Sequence, residues 1–221
     1  MFEELGFIET TAREASVWFG LGLGALFGAL AQRTRFCFRR GVVAGPDRAQ
    51  ALAVWGVALV VALVGTQGLV GAGLTGFADH RFHASALPYA AILVGGLLFG
   101  AGMVMARGCS GRLLVLAATG NMRSLVSGLV FAVVAQMALQ GWLSPLRNWV
   151  AGLWITSGGS NFNLLTTLHL PPVSGFMIGL AFALAALWLA RKNRVSLRVL
   201  FTASGVGFAV AAGWVLTYAL S

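Results

Sequence analysis

Six long apolar stretches run along this chain, and most of its charged residues lie between them. The stretches cover about residues 16–32, 49–70, 88–106, 124–142, 172–190 and 199–219. Roughly 20 apolar residues in a helix cross a hydrocarbon core about 30 Å thick. Unpaired backbone groups are costly in lipid, and no stretch alternates like a barrel strand, so each is predicted to be helical. The pattern predicts an all-α integral membrane protein with about six transmembrane helices, forming one transmembrane domain over residues 1–221.

A pattern around the first cysteine returns around the second, about 72 positions later. Leu-Phe-Gly-Ala at 26–29 precedes Arg-x-Cys-x-x-Arg at 35–40, and the same two motifs recur at 98–101 and 107–112 with the same spacing. Apolar runs and glycines match by chance in such a chain, but Arg-x-Cys-x-x-Arg at a fixed distance does so far less readily. The sequence predicts an internal repeat with units of about 16–72 and 88–142, which brings two thiols to one place.

Charge placement gives the expected topology. Hydrophobic residues make up 58% of the chain and charged residues 10%, which excludes a soluble domain. Of the 15 basic residues, 12 lie in 33–48, 107–123 and 191–198, and five of the six acidic residues lie elsewhere. The positive-inside rule then makes these connections cytoplasmic and both termini external, so the repeat is parallel. The net charge of +9 therefore reflects topology rather than nucleic-acid binding. The acidic N-terminus, with Glu3, Glu4, Glu9 and Glu14, is unlike a signal peptide, so the first span is expected to be retained.

Each cysteine is followed by a segment that is neither a span nor an ordinary loop. The second such segment, 108–121, holds an apolar run from Leu113 to Ala118 that is too short to cross a bilayer, and Gly120-Asn121 can supply a tight turn after it. Discontinuous helices at corresponding positions of two repeats indicate a transporter's substrate site. We therefore predict two short re-entrant half-helices following the cysteine motifs. A short amphipathic helix on the cytoplasmic face stays open as the alternative.

The outer connections carry weaker signals. The segment 143–171 follows Trp142 and holds two further tryptophans, which favours a helix at the outer membrane surface before the last helices, 172–221. Between spans two and three, Asp79, His80 and His83 could approach a metal ion, but no third strong ligand is near, so no metal site is predicted. No cofactor is expected either.

The chemistry of the cysteines leaves several alternatives open. Nearby arginines favour an anion but also favour thiolate, which repels one, whereas a neutral thiol can donate a weak S–H hydrogen bond. A disulfide, a thiol–disulfide redox shuttle and a two-cysteine metal site are the alternatives without an anion, and a single cysteine can simply be a small buried hydrophobe.

No carboxylate lies within a span, and no nucleotide-binding or hydrolase motif is present, so neither ion coupling nor an enzyme is indicated. Glycines at positions 20, 22, 24 and 28 of the first span are predicted to allow close helix packing.

The cysteine motifs resemble those of the YeeE/YedE family of bacterial sulfur-compound transporters. The residues that carry the resemblance are Arg33-Thr34-Arg35-Phe36-Cys37-Phe38, the run from Leu97 to Met103, Gly108-Cys109-Ser110-Gly111 and Gly120-Asn121. The resemblance implies a bacterial inner-membrane helical bundle with re-entrant half-helices that takes up thiosulfate by S–H···S hydrogen bonding. It makes Cys37 and Cys109 the relay thiols, and it implies that Gly108, Gly111, Gly120 and Asn121 shape the second half-helix. Arg35 and Arg107 are added to the substrate-binding set from the repeat.

The expected function is transport of a small sulfur-containing anion across the inner membrane, with thiosulfate as the favoured anion. Both termini are expected to be periplasmic. Typical single-chain members are longer and carry a further cysteine motif. The expected partners are therefore a second membrane subunit or another copy of this chain, and a cytoplasmic sulfur-carrier protein stays open. A membrane thiol-redox or sulfur-transfer protein, or a non-transporting half-subunit, are the alternative functions.

Overall fold

Helices make up most of the computed structural model of this protein, which describes residues 12–76, 86–155, 169 and 173–220. In chain order they are α1 (Ala12–Arg33), α2 (Phe38–Val42), α3 (Arg48–Gly71), α4 (Tyr89–Met105), α5 (Ser110–Ala118), α6 (Met122–Gln140), α7 (Ser144–Gly152), α8 (Val173–Lys192) and α9 (Leu197–Leu220). Within the described residues, six stretches are long and apolar enough to cross a membrane, and each overlaps one of the six predicted spans. The all-α membrane fold class is confirmed.

Some of the sequence predictions can be placed on this fold and others cannot. A short helix does follow each cysteine, α2 after Cys37 and α5 after Cys109. Their re-entrant placement, the single domain and the parallel repeat units stay predictions. The acidic residues Glu3, Glu4 and Glu9, the segment from Asp79 to His83 and most of 156–172 lie outside the described residues.

The helices group into two compact units, and the first comprises Met1–Arg35, Ala53–Gly76 and Gly175–Ser221. Helix α9 is the centre of this unit, since Ala203, Val206, Ala209 and Ala211 on it are all buried. Small residues allow neighbouring helices to approach α9 closely, because without a large side chain two backbones can come near each other. The closest approach is at Gly207, where an added Cβ would lie 2.3 Å from the carbonyl oxygen of Ala58 on α3.

The close packing is not at the glycines that the sequence indicated. A Cβ added at position 20, 22, 24 or 28 of α1 meets nothing within 4 Å, so the packing prediction for these four glycines is wrong. The glycines in contact are on the neighbouring helix α9. Gly205 packs against Leu30 of α1, and Gly213 packs against Leu23 of α1. Spacing along one helix shows which residues share a face, but it does not show which helix fills that face.

The second unit comprises Phe36–Leu52 and Phe77–Ser174, and it contains both cysteines. Helix α5 packs on α6 through the tight turn between them. At the start of α4 the Tyr89 ring lies 5.4 Å from that of Trp154, and Pro88 forms an isolated antiparallel bridge with Ile155. Helix α7 is the short helix of the predicted outer segment, and Trp149 on it is exposed. Its position at a membrane surface stays a prediction.

Candidate functional site

Each cysteine occupies the position immediately before a short helix. Cys37 precedes α2 with an extended backbone (φ −163°, ψ 116°), and Cys109 precedes α5 in the same way (φ −76°, ψ 165°). The first N–H groups of a helix have no partner within the helix, and they carry the positive end of its dipole. Both sulfurs are therefore attached where unpaired backbone donors are available.

The structure brings the two thiols together. Although 72 positions separate them in the chain, the side chains of Cys37 and Cys109 lie within hydrogen-bonding contact of each other. Both are free cysteines, Cys37 buried and Cys109 half-buried. The pair therefore presents one sulfur that is shielded and one that is partly accessible.

Backbone N–H groups of both short helices face the sulfurs. Those of Arg39, Arg40 and Cys109 lie near the Cys37 sulfur, and those of Arg112 and Phe38 lie near the Cys109 sulfur. Neither sulfur makes a regular capping hydrogen bond to its own helix, so these are longer, weaker contacts. The Cys37 sulfur is thus approached by donors of α2 and by the N–H of Cys109, and the Cys109 sulfur by donors of α5 and α2. This arrangement surrounds two polarizable atoms with positive partial charge, which suits an anion.

Packing and polar contacts hold α2 in place. Gly41 is buried against α3, because a Cβ added there would lie 3.2 Å from the Cα of Leu52. The Arg40 guanidinium forms an ion pair with Asp47 at 3.1 Å, and Arg48 Nε donates to the Gly41 carbonyl oxygen at 3.3 Å. The last part of α2 is thereby fixed to the start of α3, and Cys37 is fixed at its other end.

The far end of α5 is a turn built from the two residues that the sequence singled out there. Gly120 adopts φ +89°, and the Asn121 side chain accepts a hydrogen bond from the Ser124 N–H at 3.1 Å, which caps α6. The tight turn predicted at Gly120-Asn121 is confirmed. The length of α5, about 13 Å for nine residues, separates this turn from Cys109. The structure therefore does not bring Gly120 and Asn121 to the thiols, and a substrate contact by them stays a prediction.

The two other predicted glycines lie beside Cys109. Gly108 is buried, and a Cβ there would touch Leu113 and Arg112 at ordinary distances of 3.6–3.7 Å. Gly111 lies in the first turn of α5, and an added Cβ would meet nothing within 4 Å. Both positions are next to the thiol pair, but neither backbone conformation requires glycine.

Arginines occupy an unusual backbone position before each cysteine. Arg35 (φ +50°) and Arg107 (φ +56°) are left-handed, and each N–H donates back into the preceding helix at 3.2 Å. A helix that ends in this way usually has glycine here, because a side chain in this conformation costs roughly 1–2 kcal/mol. Helices α3 and α5 do end with glycine, at Gly73 and Gly120. The chain therefore places arginine before its cysteines despite the strain.

The same turn occurs a third time, and sequence reasoning missed it. Arg194 (φ +53°) ends α8, its N–H donates to the Arg191 carbonyl oxygen at 3.1 Å, and Ser196 stands two residues later where the other copies have cysteine. The Ser196 hydroxyl accepts from the Val199 N–H at 3.4 Å. A search for Arg-x-Cys could not find this copy, whereas a search for Arg-x-Cys/Ser directly before a helix would have found it.

Replacing Arg107 by glycine removes its positive charge and keeps the left-handed turn of the backbone. We expect Arg107→Gly to fold like the wild type, because glycine adopts the left-handed conformation without strain. Uptake of the transported anion should nevertheless fall by about threefold, because an exposed charge contributes modestly to attracting an anion. Arg107→Lys should retain most of the uptake. Wild-type uptake by a folded Arg107→Gly variant would show that this arginine matters only for the turn.

Two grooves in the described part of the chain have no cysteine in their lining. One of about 340 Å³ is lined by residues of α1 and α9 that include Phe19, Leu23 and Leu216. The other, of about 460 Å³, is lined by Gln136, Gln140 and neighbouring residues near the end of α6. The thiol pair is therefore singled out by its chemistry and not by either of these grooves.

Comparisons with known proteins give a family match and a similar relative. The profile of a protein family described as sulphur transport matches residues 33–217, a range that includes both cysteines. The thiosulfate transporter TsuA of Escherichia coli (strain K12) is 36% identical to this chain over 96 residues, which is 41% of this chain. The chain covers only 25% of that relative's length.

Proposed function

The chain belongs to the sulphur transport (YeeE/YedE) family, and on that premise we propose that it carries a small sulfur-containing anion across a membrane. Thiosulfate is the proposed anion, because the relative that shares 36% identity is named a thiosulfate transporter. An enzymatic role is not indicated by the family or by that relative.

The contact between the Cys37 and Cys109 thiols is the observation that carries this proposal. A neutral thiol is a weak hydrogen-bond donor, and a terminal sulfur of an anion is a polarizable acceptor. A thiolate would repel the same anion, so the relay uses the protonated form of both groups. Two adjacent thiols can exchange one S–H···S hydrogen bond for another while the anion moves between them. No single bond is strong, which lets the anion leave as well as enter.

The burial of the two cysteines gives the order in which the anion meets them in this proposal. Cys109 is half-buried and Cys37 is buried, so the anion meets Cys109 first and Cys37 second. The backbone N–H groups near each sulfur compensate part of the negative charge while the anion is away from water. In this proposal α2 and α5 are the re-entrant half-helices, because backbone donors at membrane depth are tolerated only where they are buried in protein or line a cavity.

The proposed location is the bacterial inner membrane, with both termini periplasmic and the basic connections cytoplasmic. A second membrane subunit or another copy of the chain, and a cytoplasmic sulfur carrier, remain proposed partners. A reporter fused to either end of the chain would test the topology directly.

Uptake by the purified chain tests the function. We expect liposomes that contain only this protein to accumulate labelled thiosulfate faster than empty liposomes, and unlabelled thiosulfate to compete. Uptake in cells lacking other thiosulfate routes, but not in liposomes, would mean that a partner chain is required. No uptake in either system would refute thiosulfate transport.

A further inference from the structure

One arginine beside the thiol pair has a buried donor with no partner. Among the described residues, the Nε atom of Arg39 is a buried side-chain nitrogen, and its N–H has no hydrogen-bond acceptor. Buried polar groups are nearly always hydrogen-bonded, and an unsatisfied one that carries charge costs more than a neutral one. The position therefore calls for an acceptor that the described part of the chain does not supply.

The neighbouring arginines of this region differ from Arg39. Arg40 forms the ion pair with Asp47 at 3.1 Å, and Arg48 donates to the Gly41 carbonyl oxygen at 3.3 Å. Both of these side chains serve to hold α2 against the start of α3. Arg39 has no such contact for its Nε, although it lies on the same short helix.

Arg39 is also close to the thiols in the fold. It is the second residue of α2, two positions after Cys37, and its backbone N–H faces the Cys37 sulfur. An arginine guanidinium binds oxyanions with several charge-assisted hydrogen bonds in a fixed geometry. A thiol pair offers no comparable site for oxygen atoms, because S–H is a weak donor.

From these observations we infer that Arg39 is a specificity-determining residue that binds the oxygen atoms of the transported anion. The terminal sulfur of the anion then lies at the Cys37–Cys109 pair. The inference rests on the proposed function and adds the class of cargo. That class has one polarizable sulfur and an oxygenated end, as thiosulfate has. Hydrosulfide has the sulfur without the oxygens, so the positive charge of Arg39 attracts it, but it has no oxygen atoms to accept hydrogen bonds from the guanidinium.

The test compares Arg39→Gln and Arg39→Lys with the wild type, and Arg123→Gln serves as the matched control. Arg123 is an exposed residue at the start of α6, so its replacement removes one positive charge away from the thiols. We expect the KM for thiosulfate to rise by about tenfold or more in Arg39→Gln, as for loss of a hydrogen bond to a charged group. Arg39→Lys should show a smaller increase, and Arg123→Gln should show little change. The inhibition constant of hydrosulfide for this uptake should rise by a much smaller factor in Arg39→Gln, because hydrosulfide loses only the attraction of the charge.

Two outcomes would overturn the inference. An unchanged KM in Arg39→Gln would do so, and so would a rise of the hydrosulfide inhibition constant by the same factor, because the effect would then not depend on the oxygen atoms of the anion. Arg39→Lys keeps the charge, so it provides the comparison if Arg39→Gln does not fold.

A binding measurement separates this inference from the proposed function. Thiosulfate should raise the thermal unfolding temperature of the wild-type protein in detergent and raise that of Arg39→Gln much less. This result without uptake in liposomes would overturn transport by the chain alone and support the Arg39 site. Equal stabilisation of both proteins, or stabilisation of neither, would overturn the Arg39 site.

Discussion

Serine at position 109 should reduce thiosulfate uptake to background, and serine at position 37 should do the same. Serine is close to cysteine in size and still donates a hydrogen bond, but its oxygen lacks the polarizable sulfur that matches a terminal sulfur of the anion. Because the two thiols are in contact, each one is the only neighbour to which the other can pass the anion in the proposed relay. Losing roughly 1.4 kcal/mol at either step already slows transport about tenfold. The measurement is the initial rate of labelled thiosulfate uptake by equal amounts of membrane-inserted protein.

A control on the same helix excludes a general effect on α5. Thr119→Ala removes an exposed hydroxyl that donates to the Leu116 carbonyl oxygen at 2.8 Å, at the end of α5 opposite Cys109. This variant should transport like the wild type. Undiminished uptake in both Cys37→Ser and Cys109→Ser would refute the relay. Loss of uptake in only one variant would restrict the essential contact to that thiol.

Mass spectrometry of the wild-type protein addresses the alternative of sulfur transfer. A protein that hands on sulfane sulfur would carry a persulfide or a mixed disulfide on Cys109 during turnover, which mass spectrometry of the intact chain can detect. The relay predicts unmodified thiols throughout, because no S–S bond forms or breaks in it. A persulfide that accumulates with thiosulfate and disappears when a carrier protein is added would favour transfer over transport.

The membrane-spanning helices could be predicted from the sequence because their signal is local. An apolar window of about 18 or more residues identifies a span without any knowledge of its neighbours, and α3, predicted at about 49–70, is observed at Arg48–Gly71. The short helix α5 could also be predicted, because its glycine-bracketed apolar run lies within Ser110–Ala118. These elements are determined by residues that are adjacent in the chain.

Features that depend on tertiary packing were harder to predict. The repeat suggested that two thiols meet, but only the fold shows side-chain contact between them. Nothing in the sequence separates Arg39 from the other arginines of its region, because burial of one nitrogen atom depends on what packs over it. The third arginine turn was missed because Ser196 replaces cysteine in it.

The glycines show the same limit and lead to the prediction with the largest effect on stability. Thirty glycines offer many candidate sites of close packing, and the fold selects Gly207 of α9. A Cβ there would lie 2.3 Å from the carbonyl oxygen of Ala58 and 2.9 Å from the backbone nitrogen of Ala62. Backbone atoms of α3 can move away only if the whole helix shifts, and Gly207 and Ala58 both belong to the first unit. We therefore expect Gly207→Ala to destabilise the protein by about 3 kcal/mol, the upper end for overpacking in a core.

Gly205→Ala is the matched variant, two residues away on the same helix. Its Cβ would lie 2.9 Å from Leu30, but the atom it meets is the end of a flexible side chain, which can rotate away. Alanine also has the higher helix propensity, by up to about 1 kcal/mol, so Gly205→Ala should be close to neutral. Thermal unfolding of the two variants in the same detergent distinguishes the sites. Similar unfolding temperatures for Gly207→Ala and Gly205→Ala would mean that α3 and α9 can separate freely, and the backbone contact would then contribute little to stability.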